Sequence, residues 1–196
     1  MNSGRMPGWD GIPVEAYQNS LSAKLELFRI VRLIWDTEVI PNDFVKGIFI
    51  MIYKKKDRND FGNYRAICLL IHACKLLSAV IAQRLHLYLA AVLPDIQAGF
   101  IPARGTRDNV CILKWTIRMI LWEQRRAMVT FIDYTGAFDS ESQLFLDKAL
   151  SKAGVSVKCR RIIQCVFKAS SGCVRLHNPD GTESFSDIFD IARGVL

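Results

Sequence analysis

Residues 131–139 read F-I-D-Y-T-G-A-F-D, and Met128, Val129 and Thr130 extend the run upstream. Met128 to Ile132 has the length and the β-favouring content of a buried strand. A strand there delivers Asp133 at its carboxyl end, the side of a sheet on which reactive groups collect. Downstream, Ser140 is placed to cap a helix that Gly154 should end, and a basic helix follows over about Lys158 to Lys168. Two β-favouring runs then flank the turn Asn178-Pro179-Asp180-Gly181, which predicts a hairpin. Upstream, Cys111, Trp115 and Leu121 recur at helical spacing within Asp108 to Arg126, as do Leu77, Ile81, Leu85, Tyr88 and Leu89 ahead of Pro94. Both segments are expected to be packed helices. Gly47 to Tyr53, G-I-F-I-M-I-Y, predicts a strand, and Lys54, Lys55 and Lys56 follow it at once. Leu21, Leu25, Phe28, Val31 and Trp35 predict a helix that stops by Pro41, behind a turn-rich opening over residues 6–13. The expected class is α+β.

The chain has 196 residues, 51% of them apolar, enough to bury the core of one domain or slightly more. Lysine and arginine outnumber aspartate and glutamate 26 to 19, a formal charge of +7. That balance favours a polyanionic partner: nucleic acid first, an anionic membrane surface second, with a basic surface kept for solubility as the third reading. Pro7, Gly8, Asp10 and Gly11 interrupt the place where a secretory signal would need an apolar core, and no apolar run is long enough to span a bilayer. A soluble, intracellular chain without a membrane partner is expected. The six cysteines form no C-x-x-C pair and read as reduced, mostly buried thiols with no disulfide partner. His72, His86 and His177 lack zinc-knuckle or finger spacing.

An aspartate leaving a buried strand is costly unless something binds it, and a divalent cation is the obvious candidate. Nucleotidyl transfer uses two such cations about 4 Å apart, and carboxylates are the hard oxygen ligands that magnesium prefers. Asp133 fits that role, and it also fits an ordinary cap or salt-bridged aspartate at a strand end. Lys54 to Lys56 similarly reads either as a phosphate contact or as a solvated charge run or localisation signal.

Pro7 to Pro13, Tyr53 to Asp57 with Asn63 to Leu70, Gln97 to Phe100 with Arg104 to Thr106, Phe131 to Asp139 and Arg193 to Leu196 form five blocks that in this order resemble the reverse transcriptase family of LINE-type (non-LTR) retrotransposons. Pro7 to Pro13 resembles its P-G-x-D-G-I opening. Tyr53-Lys54-Lys55-Lys56-Asp57 and Asn63-Tyr64-Arg65-Ala66-Ile67-Cys68-Leu69-Leu70 resemble its K-K-x-D and N-Y-R-P-I-S-L-L fingers block. Gln97-Ala98-Gly99-Phe100 with Arg104-Gly105-Thr106 resembles Q-x-G-F and the R-x-T after it, Phe131 to Asp139 the aspartate-bearing palm motif, and Arg193-Gly194-Val195-Leu196 the first half of R-G-V-x-Q-G. The resemblance implies a partial right-hand polymerase fold, with mostly helical fingers over about 1–126, an incomplete palm sheet over about 127–196, and no thumb. It implies an RNA-directed DNA polymerase acting on an RNA template, a DNA primer and deoxynucleoside triphosphates with Mg2+ or Mn2+, in nucleus and cytoplasm. Asp133 then becomes the catalytic metal ligand. Arg65 and Lys54 or Lys55 grip the triphosphate, the guanidinium as a planar fork and the ammonium as a point charge. Phe138 is the bulky gate under the incoming sugar. Gln97, Gly99 and Phe100 lie against template or duplex, with Arg104 and Arg107 as backbone contacts, joined by some of Lys158, Arg160, Arg161 and Lys168.

Departures from the pattern are Ala66 and Cys68 for proline and serine, Ile101 for an arginine, and Gly136 for a basic residue, and they resemble the drift of a decaying copy. The family's aromatic-Ala-Asp-Asp turn, which supplies the remaining carboxylates, is expected beyond Leu196, so the fragment alone is expected to polymerise little. A non-catalytic nucleic-acid-binding remnant is the alternative, and a group II intron maturase or related polymerase shares the palm logic.

Overall fold

The computed structural model describes residues 2–137, 140–178 and 180–191. Among them are six helices: α1 (Val14–Asn19), α2 (Leu21–Thr37), α3 (His72–Leu89), α4 (Thr106–Trp122), α5 (Gln143–Lys152) and α6 (Val157–Ala169). Five strands accompany them: β1 (Lys46–Tyr53), β2 (Tyr64–Leu69), β3 (Ser171–His177), β4 (Glu183–Phe185) and β5 (Phe189–Asp190). The sequence predicts an α+β chain, and the fold combines these helices with a small mixed sheet.

Serine hydroxyls start three helices by accepting a backbone N–H: Ser20 from Ala23, Ser142 from Phe145 and Ser156 from Cys159. Ser142 therefore opens α5; Ser140, the expected cap, donates instead to Ala137 O at 3.3 Å. α2 ends on Glu38, whose left-handed φ of 58° lets its N–H reach Ile34 O. One apolar core joins α2, α3, α5, α6 and the 3-10 turn Asn42–Val45, with Leu27, Ile34, Val45, Leu77, Cys159 and Ile162 among its buried members. Leu21, Leu25 and Phe28, whose spacing predicts α2, are exposed. Leu27, Ile30, Val31 and Ile34 satisfy the same 3.6-residue period, so spacing alone identifies a helix with two competing stripes.

The sheet runs β2-β1-β3-β4, with β5 also on β3. β1 pairs antiparallel with β2 and parallel with β3, Lys46 to Phe49 lying beside Ser171 to Val174. β4 and β5 follow one another on β3; between them Ser186 donates its N–H to Val174 O and accepts the Val174 N–H on its hydroxyl. Gly172 is required here: a Cβ on it would sit 2.5 Å from the Phe49 ring and 3.1 Å from Gly47 O. The expected hairpin is present, closed by Asn178 N–H to Thr182 O at 2.9 Å; Pro179 of its turn lies outside the described residues.

The opening turn is anchored across the fold. Trp9 donates Nε1–H to Asp43 O at 2.8 Å, Lys46 sits 5.2 Å from the indole centroid, and a Cβ on Gly8 would run into the backbone of Leu70 and Ile71. Two sequence expectations fail on packing. α4 is a helix, but none of its residues is buried, and Trp115 and Leu121 face solvent. Met128 to Ile132 forms no strand, and its side chains are exposed. A β-favouring run has no structure of its own; its N–H and C=O groups need a neighbouring strand, and none of β1–β5 pairs with it.

Candidate functional site

The β1–β2 hairpin carries the first group of predicted residues. β1 leaves the core after Phe49 and its last three residues are exposed. The ten-odd residues that return to β2 are fixed by their own polar groups. Lys54 N–H donates to Asn63 O at 2.8 Å, and Asp60 Oδ1 accepts from Gly62 N at 2.8 Å. Asn63 Nδ2 donates to Asp57 O, the Tyr53 hydroxyl to Lys56 O and the Tyr64 hydroxyl to Arg58 O. The acidic side chains are thus turned to the loop's own amides, Asp57 to Asn59 N and Asp60 to Gly62 N and Asn63 Nδ2. Arg58 lies 5.0 Å from the centroid of the Tyr53 ring. Arg65, in register with Ile52, is exposed, as are Lys54 and Lys55, and among the described residues none of the three has an ion-pair partner. Asn63 and Tyr64 shape the tip; the cations beside them stay free for an anion.

The second group lies between α3 and α4. Ala98 is buried and anchors the loop, while Gln97, Gly99 and Phe100 are exposed, Phe100 with a left-handed φ of 58°. Gly99 itself takes an ordinary φ, and a Cβ there would meet only Gln97 Nε2 at 3.4 Å. Arg104 spends its fork within this loop: Nη1 donates to Pro94 O and Gln97 O at 3.2 Å, and Nη2 pairs with Asp95 Oδ1 at 3.0 Å. Its geometry is that of a loop organiser rather than an open phosphate contact. Arg107, in the first turn of α4, is exposed without an ion pair among the described residues.

Asp133 stands in the exposed stretch without secondary structure before the Thr135–Ala137 turn, where Gly136 has φ +59° and its carbonyl accepts Ser140 N–H. Among the described residues no hydrogen bond or ion pair engages its carboxylate. Its oxygens suit magnesium in kind, but the described residues hold no cluster of three or more potential metal ligands, so they do not assemble a two-cation centre. Phe138, Asp139 and Arg193 to Leu196 lie outside the described residues.

Three of the four cations on α6 are engaged within the fold, and Lys168 is exposed. Arg160 pairs through Nη1 with both Asp147 oxygens at 2.9 and 3.1 Å, and Arg161 grips Glu38 at 2.6 and 2.9 Å. Lys158 lies over the Trp35 ring, as does Arg84. The Arg161 hydrogen bond holds the Glu38 carboxyl below its usual value and raises the Arg161 guanidinium. All six cysteines are free thiols, and burial pushes Cys68 and Cys74 up to about 11. Cys111 departs from the expected burial and is exposed, because α4 does not pack.

A cationic hairpin tip, an organised loop carrying Gln97 to Phe100 and an exposed aspartate-bearing segment thus stand on one fold of helices and a mixed sheet. The family model described as reverse transcriptase (RNA-dependent DNA polymerase) matches residues 53–184, from the hairpin tip into β4 and well over half of the chain. The chain belongs to the reverse transcriptase family. Family membership brings RNA-directed DNA polymerisation on an RNA template and DNA primer with deoxynucleoside triphosphates, and a general dependence on divalent metal. Among the described residues no helix is long and apolar enough to cross a membrane.

Proposed function

We propose that the chain is a fragment of a LINE-type (non-LTR) retrotransposon reverse transcriptase, comprising fingers to about residue 126 and part of the palm. The full-length parent carries out two-metal nucleotidyl transfer, with Asp133 as one carboxylate ligand. Lys54, Lys55 and Arg65 neutralise the incoming triphosphate, Phe138 gates its sugar, and Gln97, Gly99, Phe100 and Arg107 face template or duplex. Support comes chiefly from the hairpin tip, where N-Y-R and K-K-K leave exposed cations without carboxylate partners among the described residues, while Asp57 and Asp60 accept from the backbone N–H of Asn59 and Gly62. Arg104 supports the same surface indirectly, by holding the loop that carries Gln97 and Phe100.

The 196 residues contain no adjacent pair of aspartates, and the described ones assemble no metal centre. That observation favours a second reading for this polypeptide by itself, a nucleic-acid-binding module without polymerase activity. Primer extension on an RNA template separates the readings. The 196-residue chain is expected to give no magnesium-dependent product, whereas a longer form carrying the paired aspartates polymerises and Asp133→Asn abolishes its synthesis. In both forms Arg65→Ala weakens RNA or nucleotide binding and Asp133→Asn leaves RNA binding intact. Magnesium-dependent synthesis by the 196 residues would defeat the inactive-fragment reading, and undiminished synthesis by the Asp133→Asn long form would defeat the polymerase assignment.

A further inference from the structure

We propose that Arg5, His72, Lys75 and the first turn of α3 form a binding site for a phosphate group. The cavity they line, together with Asn2, measures about 430 Å³. It is made by two distant stretches of chain. The N-terminal arm is tied down by Ser3 Oγ donating to Gln18 Oε1 at 2.9 Å and by Gly4 N–H donating to Glu15 Oε1 at 2.7 Å. Gly8 then lets it pass against the backbone of Leu70 and Ile71, where α3 begins.

Three features of this cavity call for an anion. Arg5 and Lys75 line it, and among the described residues neither has a carboxylate partner. α3, an 18-residue helix, begins at Ile71 without any side-chain cap, so its first N–H groups and its dipole are uncompensated. His72, in that first turn, is 1% exposed, yet among the described residues neither ring nitrogen has a hydrogen-bond partner. Buried polar atoms are rarely left in this condition, and such an orphan points to a missing ligand. Burial first, and Lys75 second, hold the His72 imidazole below its usual value of 6.5, while Asp10 and Glu15 act the other way. The ring is neutral at pH 7 and offers one N–H donor. Glu15 does not fill the gap: its Oε1 accepts the Gly4 N–H, and no hydrogen bond joins it to His72 among the described residues. Two cations, a neutral donor and a helix N-terminus suit a phosphate oxygen set better than a carboxylate or a halide.

The phosphate can come free or from a nucleic-acid backbone; only the second source rests on the function proposed above. The test follows the imidazole ¹⁵N resonances at pH 7 and constant ionic strength while inorganic phosphate is added to the 196-residue protein. His72 should shift saturably, with His86 and His177 as internal controls. Arg5→Ala with Lys75→Ala should weaken that response at least tenfold; Arg5→Ala alone, in the exposed arm, should weaken it without disturbing the fold seen by circular dichroism. An unmoved His72, or an equal response in the double variant, overturns the site. A single-stranded RNA oligonucleotide is then added to the phosphate-loaded protein. Displacement of phosphate at His72 assigns the site to the nucleic-acid backbone; phosphate binding untouched by RNA assigns it to a free phosphate and leaves the polymerase reading to stand on the hairpin alone.

Discussion

Gly8→Ala should loosen the opening segment from the start of α3. A Cβ on Gly8 would press on Ile71 N and lie 2.7 Å from both Ile71 Cα and Leu70 C, and these are backbone atoms that cannot rotate away. Two responses are open. If the arm stays, the overpacked contact costs about 1–3 kcal/mol. If it lifts, Trp9 loses its bond to Asp43 O, about 1 kcal/mol. The indole, 40% exposed when docked, also gives up burial of roughly 100 Å², on the order of 2–3 kcal/mol, less whatever chain entropy returns. The smaller cost governs, so the variant should be destabilised by about 2 kcal/mol, a fall of roughly 4–8 °C in melting temperature for a domain of this size. Urea unfolding and thermal melts measure the total. Hydrogen exchange over residues 2–12 and a red-shifted Trp9 emission report whether the arm lifted. An unchanged melting temperature with an arm as protected as in the parent would refute the close-approach argument for this glycine.

Asp147→Ala should destabilise by about 2–3 kcal/mol, because it leaves the Arg160 charge in a site where its side chain is only 18% exposed; adding Arg160→Met should recover part of the loss in urea unfolding. Glu38 is held below its usual 4.5 by Arg161, so its contribution is present above that pH and lost as pH falls through the lowered value; melts of the parent and Glu38→Gln should converge in acid and separate toward neutrality. With Cys68 and Cys74 pushed up to about 11, only about 0.1% of either is thiolate at pH 8, so a disulfide reagent should label exposed Cys111 first and Cys74 only on unfolding.

The sequence by itself determined what a window of ten to twenty residues can encode: α2 and α3 from apolar spacing, α6 as a basic helix over about Lys158 to Lys168, β1 from its β-favouring run, and the β3–β4 turn from its Asn, Asp and Gly. The hairpin cations and the loop after α3 are singled out through the resemblance of their blocks to a known family, since a charge run alone reads equally as a solvated face. Tertiary structure decided everything that depends on a partner distant in the chain. It chose Leu27 and Ile34 over Leu21 and Leu25 as the packed stripe of α2, joined β1 to β3, and left Met128 to Ile132 without a ladder to enter. It turned Arg160 and Arg161 from phosphate contacts into ion pairs with Asp147 and Glu38, and it brought Arg5 beside His72 and Lys75. Helical period and β-propensity are local properties, whereas strand pairing, ion pairing and burial are properties of two segments at once, and only the folded chain selects the second segment.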